Sequence, residues 1–118
     1  MTKNVEVLTR LQGDISVIDI RGDVTPLAGP QVEEAYAGVS AAGAKKILFV
    51  FAADCYINSG GIAVLIGVLS QTRKKGQAVR ITGLTPHFQK VFAMVGLTKY
   101  AHICPSEPAA IAEFKTGA

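Results

Sequence analysis

The segment Lys46-Ile47-Leu48-Phe49-Val50-Phe51 limits the fold more than any other stretch of the chain. Its branched and aromatic residues follow one another without a polar break, the pattern of a strand covered on both faces. It is therefore the candidate for the centre of a sheet. The apolar runs at residues 47–53 and 62–69 are far shorter than the ~20 residues a membrane-spanning helix needs, so their hydrophobicity is assigned to a core.

The flanking segments supply the rest of such a sheet. Val5, Val7 and Thr9 alternate with Glu6 and Leu8, and Ile15, Val17, Asp19 and Arg21 alternate with Ser16, Ile18 and Ile20, each as in a strand. Only Gln12-Gly13-Asp14 separates the two. A link this short allows an antiparallel hairpin alone, because a parallel pair needs a crossover of a dozen residues or more, and the first strand is then an edge strand. Past Thr25-Pro26, residues Val32, Ala35, Tyr36 and Val39 fall at helical spacing up to the small residues around Gly43. After the central run, Ile62, Leu65, Ile66 and Leu69 form a helical stripe that Val64 and Val68 widen, which predicts an unusually buried second helix.

Residues 78–82 read as a short strand, and Thr85-Pro86 as the cap and first residue of a helix carrying Phe88, Val91, Phe92 and Val95, stopped by Gly96. A last strand is expected at 100–103, and Ser106 caps a final helix with Ala109, Ala110, Ile111 and Phe114. The order predicts an α/β fold: one mixed sheet with an N-terminal antiparallel hairpin and later parallel strands joined by helices. The chain of 118 residues has the size of one domain. That domain is expected to fill residues 1–118, with flexible ends at 1–4 and 115–118.

Composition narrows the function. Hydrophobic residues make up 49% and charged ones 18%, which excludes a disordered tail or a solvated coiled coil. The net charge is +3, there is no Trp, and aromatics are 7%; a nucleic-acid binder more often shows a basic stripe with interleaved aromatics. The one basic cluster, Arg73-Lys74-Lys75 before Gly76, fits a helix C-terminus, where cations complement the dipole and glycine closes the turn. Cys55 and Cys104 stand far apart without metal-ligand spacing and read as small buried hydrophobes. Met1-Thr2-Lys3-Asn4 leads into alternating residues without the apolar stretch of a signal peptide. No membrane, nucleic acid, metal or cofactor is expected, and the location is expected to be cytoplasmic.

In open parallel sheets, reactive groups gather where strands end and helices begin, which singles out residues 22–30, 53–61, 83–86 and 105–108. The second is the most unusual, since Asn58-Ser59-Gly60-Gly61 opens an almost wholly apolar helix. One reading is structural: Asn58 or Ser59 caps the helix and the glycines permit a tight entry. Another makes the Ser59 hydroxyl a phosphate acceptor, because free N–H groups and the helix dipole tolerate the added charge. A nucleophile elbow would have glycines two before and two after the serine, whereas Ile57 and Gly61 stand there. A hydrolase would also need His87 or His102 as its base. Phosphate-binding glycine loops are absent. A phosphoaspartate site at Asp54 lacks clustered acids, because the first strand offers Arg10 instead.

From the hairpin to the last helix, the chain resembles the anti-sigma factor antagonists, the stand-alone bacterial form of the STAS domain. The matching features are Gly22-Asp23, the apolar central strand, Tyr56-Ile57-Asn58-Ser59-Gly60-Gly61-Ile62 leading into Leu65-Ile66-Gly67, Gly83-Leu84-Thr85-Pro86, and Val91-Phe92-Ala93-Met94-Val95-Gly96-Leu97. In that family the loop before the second helix usually reads Asp-Ser-Ser-Gly or Asp-Ser-Thr-Gly, and the serine after the aspartate is phosphorylated. Ser59 takes its place here, with Asn58 for the aspartate and Gly60 for the second hydroxyl residue. The resemblance implies a binding module, not an enzyme. The unmodified protein binds an anti-sigma factor serine kinase, phosphorylation of Ser59 releases it, and a phosphatase of the PP2C type restores it. It also implies a contact surface of Asp23, Thr25, Asn58, Ser59, Gly60, Gly61 and Thr85. STAS-like chains serve, too, as non-phosphorylated scaffolds and as small subunits of lipid transporters, and the missing aspartate keeps that alternative open. A small hydrolase using Ser59 is a third reading.

Overall fold

The computed structural model describes residues 4–116. The hairpin forms as its short link requires: β1 (Glu6–Gln12) pairs antiparallel with β2 (Ile15–Arg21), from Glu6 opposite Arg21 to Gln12 opposite Ile15. The apolar run becomes β4 (Lys46–Phe51), which lies parallel between β2 and β6 (Ala78–Thr82). With β7 (His102–Ile103) beside β6, the sheet order is β1-β2-β4-β6-β7. The expected centre and the expected edge are both where the sequence pattern puts them.

Side-chain alternation assigns the two faces. Ile18, Ile20, Ile47, Phe49, Phe51, Val79 and Ile81 enter the larger core. It is closed by Val32 and Tyr36 of α1 (Gly29–Ala41), Leu65 and Leu69 of α2 (Ser59–Lys74), and Phe88 and Phe92 of α3 (Pro86–Met94). On the other face Ile15, Val17 and Leu48 pack with Cys104 and with Ala110 and Phe114 of α4 (Glu107–Thr116). Three helices thus cover one side and one covers the other, and β4 is buried on both.

Two short strands were not legible as strands. Asp23–Val24 forms β3 and Tyr56–Ile57 forms β5, a separate parallel pair matching Asp23 with Tyr56 and Val24 with Ile57. A two-residue ladder carries no periodicity to read. The last strand is shorter than expected: Gly96, at φ 83°, leads into a 3₁₀ turn over Leu97–Lys99, and the Tyr100 amide still donates to the Leu97 carbonyl. Tyr100 and Ala101 therefore curl ahead of the strand instead of joining it. Of the expected flexible ends, Asn4 is described and Lys115 and Thr116 belong to α4, while 1–3 and 117–118 lie outside the described residues. Among the described residues no helix is long and apolar enough to cross a membrane.

Candidate functional site

The loops that follow β2, β4 and β6 lie at the same end of the sheet, because those three strands run parallel. Each delivers a capped helix start. Thr25 accepts from the Leu27 amide at 3.2 Å and opens the 3₁₀ turn Pro26–Ala28 that runs into α1. Thr85 accepts from the Phe88 amide at 3.3 Å and opens α3, with Pro86 behind it. For α2 the cap is Asn58, whose side-chain oxygen accepts from the Gly61 amide at 2.8 Å while its backbone is extended. Of the two capping candidates, the asparagine takes the role. Ser59 is the first residue of the helix, exposed, and no acidic residue lies in the first turn.

The β3–β5 pair fixes where this turn sits. The Asn58 amide donates to the Val24 carbonyl at 3.2 Å, extending the ladder by one bond. A Cβ at Gly61 would fall on the Val24 carbonyl oxygen, and one at Gly60 on the Pro26 ring, 2.8 Å from its Cδ. The first turn of α2 thus passes so close to the segment 24–26 that neither position has room for a side chain. That contact also accounts for Gly60, since a hydroxyl residue there would strike Pro26. The sequence singled out both glycines but not their contact partners, which only the crossing of two distant segments supplies.

Asp23, half-buried in β3, and Thr25 therefore lie beside Asn58, Ser59, Gly60 and Gly61. Thr85 joins the group less directly, through the ring of Phe88, which meets Tyr56 edge-on at 5.8 Å between centroids. Leu27 (89% exposed) and Tyr56 (56%) put apolar surface on the segments flanking the serine. A groove lies elsewhere, between β1 and α1 and lined by Val7, Leu11, Gln31 and Val39 among others. Cys55, four residues before Ser59, is buried, and its thiol is pushed up to about 11 by desolvation first and then by Asp23 and Asp54. Neither histidine is bonded to Ser59: His87 rests edge-on against Phe88, and His102 Nδ1 lies 2.7 Å from Glu113 Oε1. Among the described residues, no histidine is held against Ser59.

The family model of the Mlab STAS domain matches residues 7–105. The chain belongs to the STAS domain family. Among curated proteins, no sequence match was found. Among solved structures, this STAS domain is similar to an anti-sigma factor antagonist from Mycobacterium paratuberculosis, with a TM-score of 0.81, 17% identity and 95% of each chain covered. A putative anti-sigma factor antagonist from Thermotoga maritima gives 0.77 at 14% identity, covering 92% of this chain and 94% of that one. The unphosphorylated form of the anti-sigma factor antagonist SpoIIAA gives 0.69 at 17% identity, covering 96% and 98%; SpoIIAA in the phosphorylated form, from Bacillus, gives 0.65 at 17%, covering 94% and 99%. At these identities the likeness is one of fold.

The STAS domain holds one further group of reactive side chains that sequence spacing hid. His102, Cys104 and Glu113 place one nitrogen, one sulfur and one oxygen within 4.8 Å of one another. His102 lies in β7 and Cys104 directly follows it, two residues on, a spacing that puts both on one face of extended chain. Glu113 comes from α4, and no local pattern announces it.

Proposed function

We propose that this STAS domain is an anti-sigma factor antagonist that acts by partner switching and catalyses nothing itself. The observation that carries the reading is the division of labour at α2: Asn58 caps the helix, which leaves the Ser59 side chain exposed at its N-terminus with no acid in the first turn. A phosphoryl group on Ser59 adds about −1.5 to −2 charges where helix N–H groups and the dipole favour them, so modification changes the surface without unfolding the domain. Asp23, Thr25, Asn58, Gly60, Gly61 and Thr85, with the apolar Leu27 and Tyr56, form the surface offered to an anti-sigma factor serine kinase. A phosphatase of the PP2C type resets it. The existence of a phosphorylated form of SpoIIAA on the same fold supports this assignment.

The test is incubation with the cognate kinase and ATP, followed by mapping of the modified residue by mass spectrometry. Modification at Ser59 is expected, together with weak kinase binding by Ser59→Asp and binding without release by Ser59→Ala. Equal binding by wild type and Ser59→Asp would sink the switch. A second reading, a constitutive scaffold or transporter-associated subunit, is favoured by Asn58 in place of the family aspartate. Pull-down from native lysate with and without ATP separates the two, since only the switch makes partner capture depend on ATP.

A further inference from the structure

We propose that His102, Cys104 and Glu113 form a binding site for a thiophilic divalent cation of the zinc class, on the sheet face that α4 covers. His102 and Cys104 lie two residues apart at the end of β7, and the Cys104 amide donates to the Ile81 carbonyl at 2.7 Å, so the extended spacing persists through Cys104. Their side chains therefore share one face. Helix α4, anchored by Ala110 and Phe114 in the smaller core, carries Glu113 over that face.

The distances suit an ion. His102 Nδ1 lies 2.7 Å from Glu113 Oε1, Cys104 Sγ lies 3.2 Å from Glu113 Oε2, and all three donor groups fall within 4.8 Å. Tetrahedral zinc bonds of about 2.0–2.3 Å place donors roughly 3.3–3.7 Å apart; Cys104 Sγ and Glu113 Oε2 come close to that spacing at 3.2 Å, and one ligand atom from each of the three residues lies within 4.8 Å of the others. The His102 side chain is 66% exposed, so its ring can swing outward to open the centre, and the same side leaves a fourth position to water. Imidazole, thiolate and one carboxylate are donors that select zinc-like ions over magnesium or calcium, which take all-oxygen shells.

Arg80 completes the surroundings. Its Nε donates to Glu113 Oε1 at 2.9 Å, its Nη1 donates to the Val79 carbonyl at 3.0 Å, and its guanidinium lies 5.2 Å from the centroid of the Phe114 ring. It acts as the outer partner that orients the ligating carboxylate, leaving Oε2 for the ion. Binding releases the Cys104 thiol proton to solvent.

Titration of the full, tag-free chain with Zn²⁺ by calorimetry, and with Co²⁺ by absorption, tests the site. One ion per chain is expected at micromolar affinity, with a near-ultraviolet sulfur-to-cobalt charge-transfer band. The exposed His102→Ala should weaken binding by at least about tenfold, taking the effect of losing an outer partner as a lower bound. Cys104→Ser should abolish the charge-transfer band, and His87→Ala should leave both readouts unchanged. Because Cys104 is buried, His102→Ala is the deciding variant if Cys104→Ser fails to fold. No uptake at micromolar metal, or uptake that His102→Ala leaves intact, would overturn the site.

Discussion

At the scale of single residues, Asn58 and Ser59 are neighbours with separable roles. Asn58 satisfies an amide that helix geometry otherwise leaves open, whereas Ser59 carries its hydroxyl on the surface. Asn58→Ala is therefore expected to cost about 1 kcal/mol of stability, and Ser59→Ala less than about 0.5 kcal/mol, both read from urea midpoints. Comparable losses from the two would mean a shared cap and would undercut the assignment of Ser59 to modification alone. Asn58→Asp keeps the acceptor and adds a charge that the dipole favours, so it should hold stability level or raise it by roughly 0.3–1 kcal/mol. The capping chemistry was legible from residue types. Which of the two residues caps was not, because it depends on the extended backbone that the bond to Val24 imposes on residue 58.

At the scale of elements, the decisive contact is between the first turn of α2 and the segment 24–26. Gly60→Ser, which restores the family's hydroxyl, places its Cβ against the Pro26 ring and is expected to destabilise by about 1–3 kcal/mol. The double variant Gly60→Ser with Pro26→Ala should recover part of that loss, a coupling that a double-mutant cycle measures. Gly61→Ala should not be rescued this way, since its new atom would meet the Val24 carbonyl, which belongs to the backbone. Additive losses for Gly60→Ser and Pro26→Ala would show that the helix start has room to shift. The glycine pair is visible in sequence as a tight entry; the β3–β5 ladder that makes it tight is not, since two residues per strand fall below any periodic signal.

At the scale of the whole molecule, burial decides the behaviour of Cys55. Desolvation, helped by Asp23 and Asp54, raises its thiol to about 11 in the folded state against an ordinary value of 9.0. The folded protein then holds this proton more tightly than the unfolded chain. Its contribution to stability is complete below about pH 9 and declines as pH rises toward about 11. Denaturation midpoints at pH 7, 9 and 10.5 should fall more for wild type than for Cys55→Ala. At pH 8 the depleted thiolate should slow alkylation of Cys55 about a hundredfold relative to the unfolded chain, and labelling at the unfolded rate would contradict the assigned burial. By itself the sequence determined the central strand, the edge hairpin, the caps at Thr85 and Ser106 and the glycine-backed serine, because hydrophobic period, turn length and capping chemistry act within a few neighbouring residues. Only the tertiary structure decided that Val24 and Pro26 confine the turn carrying Ser59, and that Glu113 meets His102 and Cys104. Those contacts join segments tens of residues or a helix apart, and their geometry is set by how the layers pack, which no local pattern encodes.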